Sequence, residues 1–143
     1  MYRLIYKSTS LGPITKENLR DILFTSLNQN RAGGINGALL ATHSHFLQFL
    51  EGDFEAVNET FFRIAKDPRH VDIKLVSFGS VDKAIFSEWS MKGFGVFDLN
   101  LELENRLKQK YGEEENGVFL PIEETQALSL LYDIEILKKT LNA

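Results

Sequence analysis

Along the first 78 positions, the spacing of apolar residues changes back and forth between the two-residue period of a strand and the period of a helix. This pattern constrains the fold more than any other feature of the sequence. Residues 2–7 alternate as in a half-buried β-strand, and residues 15–30 repeat their apolar positions at helical spacing until Gly33-Gly34. Residues 35–41 and 46–50 are two short apolar runs separated by four polar residues, which predicts a β-hairpin. The chain therefore begins with the pattern strand, helix, strand, strand.

One more helix and two more strands are predicted after this hairpin. Asp53 is a predicted N-cap for a second helix, which ends at Asp67-Pro68 because proline disfavours a helical predecessor. Residues 73–78 form a further predicted strand, and a fifth strand is predicted from Trp89 to about Phe94. The order β-α-β-β-α-β predicts an α+β, ferredoxin-like core with a five-stranded sheet and two helices on one face. Such a fold supports many activities and assigns none by itself.

The character of the sequence changes after Asp98. Leucines at helical spacing predict one helix that includes Leu99, Leu103 and Leu107, and a longer helix follows residue 126. A charged, glycine-bearing stretch at about 112–122 links them. We predict a main domain over residues 1–97 and a helical cap over 98–143 that is not an independent domain. The cap would cover the bare face of the sheet or a partner, because a long uncovered apolar face promotes aggregation.

Composition excludes several classes of protein. The net charge of −4 disfavours direct nucleic-acid binding, and the absence of cysteine excludes disulfides, thiolate metal sites and cysteine nucleophiles. No stretch approaches the roughly 18 apolar residues of a membrane span, and the N-terminus does not resemble a signal peptide. We therefore expect a cytoplasmic protein of one compact core, without membrane contact.

Four polar residues occupy positions where the periodicity predicts apolar ones. Ser26 and Asn30 continue the apolar stripe of the first helix, while Gln48 and Tyr6 share strand faces with leucines. A buried amide without a partner costs on the order of 1–3 kcal/mol, so each group needs a hydrogen-bonding companion. The spacing leaves two explanations open, which are a polar ligand with flat apolar surroundings and an internal network satisfied by the backbone.

Other polar clusters favour structural roles by spacing alone. Arg63 and Asp67 lie four residues apart on the second helix, which favours a solvated surface pair over a site. His43 and His45 could share a strand face, but a third ligand is missing, so the hairpin turn favours solvation and no metal site is predicted. The run Gly33-Gly34-Ile35-Asn36-Gly37 precedes a strand, which matches neither a dinucleotide-binding loop nor a P-loop.

Five segments together resemble the BLUF family, which are sensors of blue light using FAD. They occur in the family's order and spacing over about residues 1–95, and Phe-x-Gln-x-Leu-Glu-Gly is highly specific. The tail resembles, less specifically, the two capping helices of short stand-alone members. The segments are Tyr6, Asn30-x-x-x-Gly34-Ile35-Asn36-Gly37, Phe46-Leu47-Gln48-Phe49-Leu50-Glu51-Gly52, Arg63-Ile64-x-x-Asp67-Pro68-Arg69-His70 and Trp89-Ser90-Met91.

The resemblance implies that the isoalloxazine ring of FAD, or of FMN or riboflavin, inserts between the two helices over the sheet. Tyr6 would then donate an electron and a proton to the excited flavin, and Gln48 would bridge Tyr6 to flavin N5 and the C4 carbonyl. Asn30 would hold the N3 and C4 edge. Arg63, Asp67 and Arg69 would contact the pyrimidine edge or the ribityl chain, which makes them site residues rather than a surface pair. Ser26, Trp89 and Met91 would surround Gln48, while Ile22 and Ile64 would sandwich the ring.

The sequence departs from the family pattern at three positions. The residue before the flavin-binding asparagine is often Asn or His, and here it is Gln29, which can still donate to a flavin but reaches further. Leu27 replaces a frequent arginine, and Ser44 stands where a turn glycine is common. These differences would affect cofactor affinity, colour or dark recovery and leave Tyr6, Gln48 and Asn30 in place.

The resemblance predicts a light-regulated binding module without turnover. Blue light would rearrange the Gln48 amide, shift flavin absorption to the red, and pass a signal through Trp89, Met91 and the fifth strand to the C-terminal helices. The output would be a downstream signalling protein bound in a light-dependent way, or an altered homo-oligomer. Two alternatives stay open, which are a flavin-free ferredoxin-like regulatory module and a flavin-dependent enzyme.

Overall fold

A computed structural model describes residues 1–86 and 92–141. The predicted elements are present, and several extend beyond their predicted bounds. The start of the predicted fifth strand, including Trp89 and Met91, lies outside the described residues. The main strands are β1 (Tyr2–Ser10), β2 (Asn36–Ala41), β3 (His45–Gly52), β4 (His70–Ser80) and β5 (Lys92–Gly95), and the α-helices are α1 (Lys16–Gly33), α2 (Phe54–Ala65), α3 (Leu101–Tyr111) and α4 (Glu124–Leu141).

The five strands form one sheet in the order β4-β1-β3-β2-β5. β1 is antiparallel to both β3 and β4, whereas β5 joins the other edge parallel to β2. In the β1–β3 pair, Tyr6 is directly opposite Gln48 and Arg3 is directly opposite Glu51. The predicted α+β, ferredoxin-like core is confirmed, and its central strands bring separated segments of the sequence into register.

Local signals in the sequence explain where α1 begins and ends. Thr15 accepts a hydrogen bond from the Asn18 backbone N–H, and the Asn18 side chain accepts one from the Thr15 N–H, as in a capping box. At the other end Gly34 adopts φ 70°, and its N–H donates to the Asn30 carbonyl. A left-handed residue at this position favours glycine, so the Gly33-Gly34 stop is a property of the backbone.

The helices cover both faces of the sheet. α1 and α2 pack on the face that carries Leu4, Tyr6 and Leu50. The opposite face, with Ile5 and Phe49, packs against the C-terminal segment, including residues of α3 and α4. The C-terminal segment therefore lies on the face opposite α1 and α2, and that it is a cap and not an independent domain stays a prediction. The expectation that β1 is half-buried is wrong, because the cap also buries Arg3 and Lys7, which are 7% and 5% exposed.

The stretch between α3 and α4 is more ordered than a linker. It contains a two-stranded hairpin of β6 (Glu113–Glu114) and β7 (Gly117–Val118), with positive φ at Glu115 and Asn116. Lys7 of β1 anchors this hairpin, because its ammonium lies 2.7 Å from Glu114 Oε1 and donates to the Leu120 carbonyl at 2.7 Å. The hairpin is therefore held against β1, an interior strand of the sheet.

Three local expectations need correction. Leu99 precedes α3 instead of lying in it, because Asn100 caps the helix by accepting from the Leu103 N–H. Phe54, which helical spacing places on the apolar stripe of the second helix, is 46% exposed and packs its ring parallel to Phe78 at the edge of the sheet. His43 is exposed, as the hairpin turn predicts, but His45 is not fully solvated, because it is partly buried and its Nδ1 lies 2.6 Å from the Ser44 hydroxyl.

The described part of the chain contains neither a membrane-spanning helix nor a metal-binding cluster of side chains. Within residues 1–86 and 92–141, no helix is long and apolar enough to cross a membrane. The same residues contain no group of three or more His, Cys, Asp or Glu side chains placed to hold a metal ion.

Packing of α4 generates the first prediction. Leu131 is 1% exposed within the apolar core beneath the cap, whereas Ile136 on the same helix is 61% exposed. Leu131→Asp should cost at least about 3 kcal/mol of folding free energy, because it removes core packing and buries a carboxylate. The melting temperature, followed by circular dichroism, should fall by more than about 10 °C. Ile136→Asp is the matched control, and equal melting temperatures for the two variants would contradict the assignment of the buried face.

Candidate functional site

A cavity opens between α1 and α2, above the sheet. It has an empty volume of about 690 Å³, counting the part open to solvent, which is within the range of small-molecule sites. Its floor is formed by side chains of β1, β2 and β3, and its walls by the two helices and the start of β4. The lining residues are Tyr6, Ile22, Thr25, Ser26, Gln29, Leu39, Phe46, Gln48, Arg63, Ile64, Asp67, Arg69 and His70.

A hydrogen-bonded pair of polar side chains lies at the floor of this cavity. The Tyr6 hydroxyl donates to Gln48 Oε1, and both side chains are buried. Their cross-strand register places them side by side on the same face of the sheet. Burial raises the pKa of Tyr6 well above its ordinary value, and the negative charge of Asp67 raises it further. The phenol is therefore neutral at physiological pH and available as a donor.

A charged pair lies at the mouth of the cavity. Asp67 accepts hydrogen bonds from the Arg69 guanidinium at 2.5–3.0 Å and from the Arg69 backbone N–H at 2.9 Å. The hydrogen bond from Arg69 lowers the pKa of the Asp67 carboxyl, although its partial burial acts in the opposite direction. The expected pairing of Asp67 with Arg63 is replaced by this bidentate contact, because the chain turns after α2 and brings Arg69 to the carboxylate. Arg63 lines the cavity separately.

His70 joins the helix wall to the floor of the cavity. Its Nε2 donates to the Ile64 carbonyl at 2.7 Å, and its Nδ1 lies 2.7 Å from the Ser8 hydroxyl. The imidazole also stands edge-on to the Tyr6 ring, with the ring centroids 6.2 Å apart. His70 thus fixes the end of α2 against β1 beside the Tyr6–Gln48 pair.

The structure brings together nine of the ten predicted flavin-contact residues along this cavity, although their roles stay predictions. Asn30 is not among the lining residues; it is buried at the end of α1, where its carbonyl accepts from the N–H groups of Gly34 and Ile35. Trp89 and Met91 lie outside the described residues. The sequence reasoning missed four lining residues, which are Thr25, Leu39, Phe46 and His70.

The missed residues were detectable only in part from the sequence. His70 and Phe46 lie within the segments that resemble the BLUF family, but the resemblance assigns neither residue a flavin contact. Leu39 looks like an ordinary strand residue, and only the β2–β3 register shows that it is directly opposite Gln48. Register between strands depends on tertiary pairing, so the alternation within β2 alone could not single out this leucine.

The fold and the cavity define a ferredoxin-like sheet with a ligand site buried between two helices. The family model described as sensors of blue light using FAD, named BLUF, matches residues 1–92. This match covers more than half of the chain, so the chain belongs to the BLUF family of flavin-binding blue-light sensors.

Curated relatives support the assignment over the same region. The photoactivated adenylate cyclase subunit beta of Euglena gracilis is 34% identical over 89 residues, which are 62% of this chain and 10% of that protein. The blue light- and temperature-regulated antirepressor BluF of Escherichia coli is 31% identical over 98 residues, which are 68% of this chain and 24% of that protein. This chain therefore spans a small part of these relatives.

Solved structures match over more of the chain, including the C-terminal helices. BlsA in its ground state has a TM-score of 0.74 and 29% identity, covering 93% of this chain and 86% of that chain. The dark-state structure of the BLUF protein BlrB has a TM-score of 0.72 and 25% identity, covering 94% of this chain and 93% of that chain. The likeness thus includes the cap as well as the sheet.

The lining residues suit a flavin by their chemistry. A flat tricyclic ring needs apolar side chains on its two faces and donors and acceptors around its edge. Ile22 of α1 and Ile64 of α2 supply branched apolar side chains from opposite walls, and the floor presents the Tyr6–Gln48 pair. Gln29 and Arg63 add donors from the walls, so the cavity contains the groups that a flavin edge would require.

The raised pKa of Tyr6 makes the alkaline stability of the protein depend on this residue. Because the folded-state pKa is above the unfolded value, the stabilisation is fully present below about pH 10 and is lost as pH rises further. Tyr6→Phe cannot ionise, so its stability should fall less steeply above about pH 10 than that of the wild type. Urea unfolding at a series of pH values measures both slopes, and identical slopes would contradict the buried, neutral phenol.

Proposed function

We propose that this chain binds FAD between α1 and α2 and acts as a blue-light switch through Tyr6 and Gln48. The observation that carries the proposal is the buried hydrogen bond from the Tyr6 hydroxyl to Gln48 Oε1 at the floor of the cavity. Both members of this pair are buried and line the cavity. FMN or riboflavin would present the same ring to the pair, so the proposal of FAD rests on the family.

Several residues would hold the flavin. Ile22 and Ile64 would sandwich the ring, and Ser26 would lie beside Gln48. Asn30 and Gln29 at the end of α1 would hold the polar edge, with Gln29 reaching further than the shorter side chains common at its position. The rim pair of Asp67 and Arg69 would contact the pyrimidine edge or the ribityl chain, together with Arg63.

The chemistry proposed for the chain's own residues is a transient donation of an electron and a proton by Tyr6, both of which return to Tyr6 after the Gln48 amide has rearranged. When bound, a flavin would supply blue-light absorption and an excited state that can take up an electron and a proton. Tyr6 is suited to supply both, because its phenol is neutral and its hydroxyl is directed at Gln48. A carboxamide has one acceptor oxygen and two N–H donors, so Gln48 can adopt two hydrogen-bonding arrangements in the same position. A changed arrangement around the ring would shift its absorption to the red.

The register of the sheet suggests how the change at Gln48 reaches the edge strand. Gln48 of β3 is opposite Leu39 of β2, and Leu39 is in turn opposite Gly93 of β5. We propose that Trp89 and Met91, which precede β5, take part in this relay, and that residues 98–143 form the output cap. Methionine suits such a role because its side chain repacks at low cost.

The proposed output is binding, without catalysis by this chain. The family is a photosensory module, and the relatives named as adenylate cyclases extend far beyond the matched region. We propose that light alters contact with a downstream signalling protein or a homo-oligomer interface in the cytoplasm. Capture of partners by the full chain in the dark and under blue light tests this, and identical captured sets in both conditions would contradict it.

Removing either member of the floor pair tests the proposed switch. Tyr6→Phe and Gln48→Leu should each retain bound flavin and lose the reversible red shift, because each variant removes one side of the Tyr6–Gln48 hydrogen bond. The visible spectrum before and after blue light measures both properties. Tyr132→Phe is the matched control, since Tyr132 lies on α4 away from the cavity and should leave the photocycle intact.

The same experiment separates the alternatives. A protein that stays colourless after addition of FAD would be a flavin-free regulatory module. A flavin that bleaches to the reduced form in the presence of a substrate would indicate an enzyme. A normal red shift in Tyr6→Phe or Gln48→Leu would contradict the roles assigned to these two residues.

A further inference from the structure

A buried charged pair lies on the face of the sheet opposite the cavity, where flavin binding does not use it. Arg3 of β1 and Glu51 of β3 are directly opposed in the sheet, and Glu51 is only 1% exposed. The Arg3 Nε donates to Glu51 Oε2 at 2.8 Å, and Arg3 Nη2 lies 2.8 Å from the same oxygen. Burying two charges is costly unless further hydrogen bonds satisfy them, so their other partners show what the pair holds.

Most of those partners belong to the segment that follows β4, and Arg3 Nη1 also lies 4.0 Å from Glu124 Oε1 at the start of α4. The Ile85 N–H donates to both oxygens of Glu51 at 3.0 and 3.1 Å, and the Phe86 N–H donates to Oε1 at 2.9 Å. Arg3 Nη2 donates to the Lys83 carbonyl at 3.3 Å. Glu51 and Arg3 therefore bind three backbone groups of residues 83–86. Hydrogen bonds to a charged group are among the stronger ones, which makes this a firm attachment.

Apolar packing fixes the same point of the chain. The Phe86 side chain is fully buried, and its ring packs against that of Phe49 with centroids 5.8 Å apart. Phe49 and Glu51 lie on the same face of β3, because side chains two residues apart on a strand point the same way. The backbone and the side chain of Phe86 are thus both held by β3.

Residues 83–86, which Arg3 and Glu51 bind, lie between β4 and β5 in the sequence. Phe86 directly precedes residues 87–91, which include Trp89 and Met91, and β5 begins at Lys92. β5 is held by its pairing with β2. The residues directly before this stretch, Ile85 and Phe86, are therefore bound to Glu51. The strand directly after it, β5, pairs with β2, in which Leu39 is opposite Gln48.

We propose that Glu51 is a positioning residue of the light switch, which fixes the upstream end of the 87–91 connection through its bonds to Ile85 and Phe86. A rearrangement at Gln48 then changes β5, instead of being lost in movement of residues 83–86. This inference rests on the proposed function. Arg3 supports it by neutralising the buried carboxylate and by holding Lys83.

Two matched double variants test the proposal in the full-length, flavin-loaded protein. Arg3→Met/Glu51→Leu removes the charged pair and leaves the Ile85 and Phe86 amides without their acceptor. Arg3→Met/Glu51→Gln also removes the charges but keeps a side-chain oxygen at position 51. Replacing both partners of a buried ion pair is often near neutral for stability, so Arg3→Met/Glu51→Gln is expected to fold. Arg3→Met/Glu51→Leu also leaves two buried amides without an acceptor and is expected to be less stable, so circular dichroism first checks that it is folded. The two differ in the acceptor, which is the feature under test.

The first measurement is made in the dark and does not depend on the photocycle. Amide hydrogen exchange at Ile85 and Phe86 should be about tenfold faster in Arg3→Met/Glu51→Leu than in Arg3→Met/Glu51→Gln. Equal exchange in the two variants would overturn the attachment. If the wild type shows no reversible red shift, the proposed function fails, and this measurement still decides whether Glu51 holds the segment.

The second measurement compares the red shift with the fluorescence of Trp89, which is the single tryptophan of the chain. Arg3→Met/Glu51→Leu should retain the red shift, while its light-induced change in tryptophan emission falls by at least about twofold. Arg3→Met/Glu51→Gln should retain both signals. Equal emission changes in the two variants, or loss of the red shift in both, would overturn the positioning role.

A single substitution keeps the test available if the double variants do not fold. Glu51→Asp retains the charge that Arg3 requires and shortens the side chain by one methylene, which withdraws the carboxylate from the two amides. Glu51→Asp should speed amide hydrogen exchange at Ile85 and Phe86. It should also reduce the light-induced change in tryptophan emission while the red shift is retained. Wild-type values for both would overturn the proposal.

Discussion

The antiparallel register between β1 and β3 is the constraint on which the rest of the structure depends. It places Tyr6 beside Gln48 on one face of the sheet and Arg3 beside Glu51 on the other. A slip of one residue would turn every side chain of the strand to the opposite face and would separate both pairs. The two central strands therefore determine the proposed photochemical pair and the attachment of the chain before β5 at the same time.

Polar groups on both faces of this sheet require cover from both sides. On the cavity side, α1 and α2 enclose the floor, and His70 joins α2 to β1 through Ile64 and Ser8. On the other side, the cap buries Lys7, whose ammonium binds Glu114 and the Leu120 carbonyl and lies 4.0 Å from the centroid of the Phe119 ring. A buried cation is tolerated only with such partners, so the hairpin between α3 and α4 is part of the sheet's packing.

Much of the fold and of the candidate site could be predicted from the sequence, for identifiable reasons. Periodicity located the strands and helices, and the Gly33-Gly34 pair marked the end of α1 through its backbone conformation. Polar residues on apolar stripes left a ligand site and an internal network both open, and the resemblance of the motif around Gln48 to the BLUF family favoured a flavin site. The partner of Asp67 was not predictable from helical spacing, because α2 ends at Ala65 and both Asp67 and Arg69 lie in the turn that follows it. Likewise, Leu39 became part of the site only through strand pairing.

By itself, the sequence determined the order of the elements, the family and the identity of the polar side chains that the helices and strands carry, because these depend on local periodicity and short motifs. Only the tertiary structure decided which of those side chains meet. It showed that the charged face of β1 is buried rather than solvated, and that Glu51 bonds to amides 34 and 35 residues further along the chain. The physical reason is that burial and hydrogen-bond partners are set by contacts between distant segments, which local patterns do not encode.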